Sequence, residues 1–416
     1  MQMSRRTIMM MSQAFSFGIA PDLQAVRRKA VKRERLSANF RSSEMRMVTI
    51  ERNSTYLLNL PFETHVDSLR VGVANSTSKS YRLDGICVAE LISGNPRSEW
   101  AYLSFTHDGS DEVKQPPASA QSVIVKGNTA NATGATDVPL IVWSDWIHYR
   151  TMSTLTRPQM QFRVLVPRQT LPMAFPVGPG NLGRFIPNGP EHMVTQNYVE
   201  GDYVNGLGTP ILRQIPTMYA PLFVVQYNAL TPGIQIVVGG DSHLSSWAMF
   251  AQLAALSLST PKSPVSVWNS AWAGKGSNTF WPALDDAIDS GRPSLSLIQG
   301  WTANDGMNAL TDEAYLQRVK ESANRTLAAG GIPIVLKGLP RNLFGNADLE
   351  SWQSINRKLD GLVAGSLVFD PNPYIEDKRM RGNWQSDFTD DQVHPNLRAN
   401  QVLRVPFERL IAPLCE

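Results

Sequence analysis

Apolar and polar positions along the 416-residue chain fall into two regimes. From about residue 45 to 226, short runs rich in β-branched and aromatic residues alternate with clusters of Gly, Asn, Ser and Pro. The clearest runs are 47–50, 68–73, 122–125, 139–143 and 160–166. Such strands with such punctuation predict a sandwich or jelly-roll. Residues 174–216 are rich in Gly and Pro without a period, which predicts long loops or a wrapping linker. Near Pro232 the pattern changes. Strand-like runs at 234–238, 265–268, 294–299, 332–336 and 367–370 then alternate with helical patterns at 244–258, 312–329, 349–362 and 397–410. Thr311 is a plausible cap for the second of these helices. Alternation of this kind predicts a parallel α/β sheet. The predicted organisation is a leader or helical arm over 1–40, a β-sandwich accessory domain over 41–230 and an α/β domain over 231–416. No internal repeat is visible.

Composition changes this picture little. The length suits two domains. A hydrophobic content of 42% and a charged content of 18% fit a globular protein with a good-sized core. The net charge of +3 gives no reason to expect a nucleic-acid partner. Arg27, Arg28, Lys29, Lys32, Arg33 and Arg35 crowd one segment, which reads as a solvated tail or helix face. Ser4 to Ile8 with the apolar stretch up to Ala20 resembles a secretory signal, even a twin-arginine one. Ser12, Gln13 and Ser16 interrupt that stretch and no small-x-small site follows, so export and cytoplasmic residence both stay open. No other stretch approaches the ~20 apolar residues of a membrane span. Cys87 and Cys415 form no metal-type spacing and fit either one bridge or two free thiols. No metal or cofactor is expected.

The chemistry gathers at the carboxyl ends of the second-half strands, where open α/β sheets place their sites. The run 234–238 leads into Gly239-Gly240-Asp241-Ser242-His243, a strand, a sharp glycine turn and a serine. A serine so presented is a nucleophile candidate, but it needs a base, and the base needs an orienting group. Of six histidines, only His243 and His394 lie in this half. His243 adjoins Ser242, and neighbours on such a turn diverge, so it is expected to bond locally, with a substrate contact as the minor option. His394 stands in Thr389-Asp390-Asp391-Gln392-Val393-His394-Pro395-Asn396. Asp391, three residues before it, has the spacing to fix its tautomer, with Asp390 as the rival. An oxyanion needs preset donors. The Ser242 N–H, the Gly274 N–H in Asn269-Ser270-Ala271-Trp272-Ala273-Gly274 and the Asn304 amide in Gly300-Trp301-Thr302-Ala303-Asn304-Asp305-Gly306 are the candidates.

The ordered blocks Gly-Asp-Ser, Asn-(x)4-Gly, Asn-Asp and Asp-x-x-His-Pro-Asn resemble the SGNH (GDSL-type) hydrolases over about residues 233–416. The resemblance implies a three-layer α/β/α fold, ester hydrolysis through an acyl-enzyme, and no metal. It implies Ser242, Asp391 and His394 as the triad, and Ser242, Gly274 and Asn304 as the oxyanion hole. Two positions depart from the usual pattern. His243 replaces an apolar residue, a variant that also occurs among members acting on acetylated polysaccharides. Thr302 replaces the glycine two before the asparagine.

Tryptophans 247, 272, 281, 301 and 384 lie near these blocks in sequence. Core packing is the expectation for most of them. Trp272 and Trp301, with His243, are the candidates for substrate contact. The leading expectation is an esterase removing short acyl groups, most readily acetyl, from a carbohydrate. A general carboxylesterase or lipase is the second reading. A carbohydrate-binding or structural protein with a silent hydrolase domain is the third. The expected partner is an acylated carbohydrate or small ester.

Overall fold

The longest strand among the described residues, Val224–Gly239, joins the two regimes. The structure is a computed structural model and describes residues 29–39, 45–48, 50–75, 78–106, 108–127, 140–154, 157–169, 173–176, 195–205, 222, 224–245, 249–272, 274–305, 310–342 and 345–416. The signal-like start, Arg27, Arg28, Trp247 and most of 174–216 lie outside the described residues.

The second half of the long strand pairs in parallel with Val265–Asn269 on one side and Leu295–Gln299 on the other. Ile332–Leu336 and Leu367–Phe369 continue the parallel sheet. The first strand of this sheet therefore lies between the second and the third. The order of strands reverses there, and in open α/β sheets such a switch point is where sites form, outside the carboxyl ends of the strands. Strand side chains alternate between faces. Ile234, Ile236 and Val238 pack with helices Phe250–Leu258 and Leu397–Cys415. Val237, Trp268, Ile298 and Val335 pack on the other face with helices Ser277–Gly291, Asp312–Ala328 and Asn346–Lys358. The fold is α/β, with helices on both faces of a mixed sheet.

The first half of the long strand pairs antiparallel with Val66–Asn75 and with Arg33–Asn39. A second antiparallel sheet runs Thr195–Glu200, Ser54–Pro61, Gln159–Val166 and Gly85–Ile92. Leu58, Leu60, Val71, Val73, Phe162, Val164 and Tyr227 share one apolar core between the two sheets. Among the described residues, no helix is long and apolar enough to cross a membrane.

Several elements differ from the sequence reading. Residues 33–39, expected in a leader or helical arm, form a strand. Leu36 is fully buried, and Ser37 donates its N–H to Gln235 Oε1 at 2.5 Å and accepts from Ser266 Oγ at 2.6 Å. The basic run is correspondingly not all solvated: Arg33 donates to Pro293 O and Ala329 O, and the Arg35 guanidinium lies 4.5 Å over the Trp146 ring. The long strand crosses residues 230 and 231 without interruption, although its register shifts between Asn228 and Ala229. The helix expected from Leu244 begins at Phe250. Residues 241–245 form turns instead, with Leu244 N–H donating to Asp241 O at 3.1 Å. Asn269 Nδ2 donates to Leu244 O at 2.8 Å and so ties this turn to the end of the neighbouring strand Val265–Asn269. The helix Ser277–Gly291 was not anticipated, because Asn278, Thr279, Pro282 and Ser290 mask its apolar stripe. Cys87 and Cys415 are both free and buried.

Candidate active site

Gly239 and Gly240 let the chain turn sharply off the long strand. Gly240 has no room for a side chain, because a Cβ there would overlap Gln299 Oε1. That same oxygen accepts the Asp241 N–H at 2.9 Å, while Gln299 Nε2 donates to Trp301 O at 2.7 Å. Gln299 is 1% exposed at the end of the neighbouring strand. It thus ties the serine turn to the third strand. Its only mark in the sequence is a polar residue closing an apolar run.

Ser242 Oγ lies 2.8 Å from His394 Nε2. His394 Nδ1 lies 2.5 Å from Asp391 Oδ2, while Asp391 Oδ1 accepts the backbone N–H of Val393 at 2.9 Å and of His394 at 2.7 Å. Asp390 does not reach the imidazole; it accepts from Asn396 Nδ2 at 2.9 Å. Burial alone would raise the Asp391 pKa, but the imidazole and the two backbone donors outweigh it and hold the carboxyl well below its usual range. The loop is anchored downstream, where Asn396 caps the last helix by accepting Ala399 N–H at 3.1 Å. The Asp391 and His394 side chains remain 53% and 44% exposed, so the imidazole is open to solvent.

The other blocks meet the serine turn through the backbone. Trp272 N–H donates to Gly240 O at 2.9 Å. Gly274 is exposed with φ of 67°, a conformation that favours glycine. Asn304 is exposed, and its Nδ2 donates to Lys275 O at 3.1 Å, which joins the second and third blocks. An amide nitrogen carries two N–H bonds, so this contact uses one of them. Asp305 accepts from Ser277 N–H at 2.8 Å and from the Tyr315 hydroxyl, fixing the same loop.

The three candidates for substrate contact are all buried. Trp272 and Trp301 are 2% and 4% exposed and pack in the apolar core on one sheet face, so their rings are covered. His243 is 6% exposed and bonds locally, as its position beside Ser242 implied. Its Nδ1 lies 2.9 Å from Asp241 Oδ1 and its Nε2 lies 2.9 Å from Val393 O. Thr302 Oγ1 lies 2.5 Å from Asp241 Oδ2 and accepts the Asn304 N–H at 3.1 Å. Among the described residues, no group of three or more His, Cys, Asp or Glu is gathered to hold a metal.

No family model and no curated protein matches the chain. Solved structures similar to part of it include a lipolytic protein of the G-D-S-L family from Desulfitobacterium hafniense. That match has 14% identity and a TM-score of 0.36, and covers 42% of this chain and 99% of that one. The psychrotrophic esterase EstA from Pseudoalteromonas matches at 16% identity and a TM-score of 0.34, over 42% of this chain and 94% of that one. A variant of the acetyl-xylooligosaccharide esterase Axe2 from Geobacillus matches at 15% identity and a TM-score of 0.36, over 44% and 95%.

Proposed function

We propose that this chain is a serine esterase that removes short acyl groups, acetyl foremost, from a carbohydrate. The observation that carries the reading is the hydrogen-bonded series Ser242 Oγ, His394 Nε2, His394 Nδ1, Asp391 Oδ2. Ser242 Oγ attacks the ester carbonyl and passes its proton to His394 Nε2. Asp391 holds the tautomer and stabilises the imidazolium that forms. The Ser242 and Gly274 N–H groups and the remaining Asn304 amide N–H receive the oxyanion, and each such donor is worth about 10²–10³ in rate. His394 then protonates the leaving alcohol oxygen, leaving an acyl-serine. Water, deprotonated by His394, attacks the acyl carbon. The C–Oγ bond breaks, Ser242 recovers its proton and the carboxylic acid departs. In this reading residues 231–416 do the chemistry and residues 41–230 form an accessory β-sandwich.

A polar, solvent-open rim supports a hydrated sugar alcohol as leaving group. Gly274, Asn304, Asp391 and Gln392 are exposed around it. A long acyl chain needs buried apolar lining, and Trp272 and Trp301 are instead packed in the core. The test is acetate release from a panel of O-acetylated glycans, beside nitrophenyl esters of short and long acyl chains. Release from glycans and short esters, lost in Ser242→Ala, is the expected result. Cleavage of long chains alone would remove the deacetylase reading. A Ser242→Ala protein as active as its parent would remove the esterase reading altogether.

A further inference from the structure

His243 and Thr302, the two positions that depart from the usual motif blocks, bind the same carboxylate. Asp241 is 1% exposed. Its Oδ1 accepts from the His243 ring at 2.9 Å and from the His243 backbone N–H at 2.9 Å. Its Oδ2 accepts from Thr302 Oγ1 at 2.5 Å. The other nitrogen of the buried His243 ring faces Val393 O at 2.9 Å, a carbonyl that also accepts from Trp384 Nε1 at 3.1 Å. Val393 immediately precedes His394 and shares its loop.

Hydrogen-bond bookkeeping decides the state of this ring. A peptide carbonyl only accepts, and an ionised carboxylate only accepts. A neutral imidazole has one N–H and would leave one of the two acceptors facing a lone pair inside the protein. We propose that His243 is a buried imidazolium paired with Asp241, acting as a positioning residue that clamps the His394 loop to the serine turn.

The geometry explains what the pair does. It connects Asn304 N–H, Thr302, Asp241, His243 and Val393 O in one unbroken series, through the two residues that flank Ser242 and the residue before His394. The third block and the base-bearing loop are thereby set against a single buried carboxylate. Among the described residues, two charged side chains act on the ring. Asp241 favours its protonation, Arg341 opposes it, and the His394 ring lies 5.7 Å away between centroids. Burial disfavours the imidazolium, but the Asp241 charge and hydrogen bond outweigh it, and His243 titrates above its ordinary value. Asp241 itself is held down to about 2, the pull of His243 and Thr302 exceeding the opposing effect of burial.

This positioning role rests on the esterase reading, but the protonation state does not. The test has two arms. In the first, nitrogen-15 NMR of the intact wild-type chain at neutral pH reads the two His243 ring nitrogens. Two protonated nitrogens are expected, and a single N–H overturns the proposal whether or not the chain cleaves esters. In the second, His243→Gln, His243→Asn and His243→Phe are assayed on a short ester, with thermal melts to confirm folding. The Gln amide reaches the place of Nε2 and the Val393 carbonyl, whereas the Asn amide reaches only the place of Nδ1. Gln is expected to stay within several-fold of the parent. Asn and Phe are expected to lose about 100-fold in kcat at unchanged KM, the scale of a small misplacement of a reacting group. A rise in KM at constant kcat would make His243 a substrate contact and overturn the clamp. Equal activity in all folded variants would overturn it too. A wild-type chain inert to every ester would remove the esterase reading and leave the first arm to decide the protonation state.

Discussion

At the scale of single residues, the site divides between the hydrogen-bonded series Ser242, His394 and Asp391 and the groups that hold it. Asp391 and Asp390 are adjacent, and only Asp391 meets the imidazole. Asp391→Asn should lower kcat by about 10⁴, because the wrong tautomer is then favoured. Asp390→Asn should change it by less than tenfold, and steady-state rates of the two proteins check this. Stability against pH reports on the other pair. The folded pKa of His243 lies above its ordinary value of 6.5, so its contribution is complete below that value and is lost as pH rises through the folded pKa. Asp241, held down to about 2, contributes above the ordinary carboxylate value and loses that contribution as pH falls toward 2. Thermal melts across the alkaline side should show a steeper loss for the parent than for His243→Gln. Parallel curves would remove His243 from the account. The juxtaposition of Ser242, His394 and Asp391 was legible because histidines are few and only two lie in this half, one of them three residues after an aspartate. The local bonding of His243 was legible from its place on the turn, but its partner across the loop was not, because Val393 contributes only a carbonyl that every residue carries.

At the scale of elements, Gly240 shows how a turn is fixed by its neighbour. Gly240→Ala would drive a methyl into Gln299, which is itself bonded to Asp241. The expected cost is about 1–3 kcal/mol, with loss of activity beyond what the stability change explains, measured by denaturant melts beside rates. The parallel strands were legible from their short apolar runs between turn signals. The helix Ser277–Gly291 was not, because its buried residues Phe280, Leu284, Ala287 and Ile288 are spaced among polar residues and an internal proline. The start of the helix after Ser242, at Phe250, is hidden in the sequence for another reason. Residues 244–249 have helical composition, but Leu244 N–H donates to Asp241 O and Asn269 Nδ2 donates to the Leu244 carbonyl, which fixes residues 241–244 as a turn. Propensity lost to a tertiary contact there.

At the scale of the molecule, the strand Arg33–Asn39 lies along the long strand and reaches both cores. Leu36 packs with the core between the β-sheets, Ser37 bonds to Gln235 and Ser266, and Ser294 Oγ donates to Val31 O at 2.6 Å. Leu36→Ala should cost about 2–5 kcal/mol and lower the melting temperature of the whole chain in one transition. Two separate transitions, with only one displaced, would show that the halves unfold independently. This strand was illegible in the sequence because its alternation is written in charges, with Arg33 and Arg35 flanking few apolar residues. Its pairing also sets an order of events in synthesis. Arg33 is in register with Gly233, so the partner of this early segment leaves the ribosome only after some 200 further residues. Until then its hydrogen-bonding edge and Leu36 are uncovered, and contacts this distant in sequence form slowly. The nascent chain therefore carries an open strand while some 200 further residues are made, and its yield in a cell depends on what shields that strand while it waits.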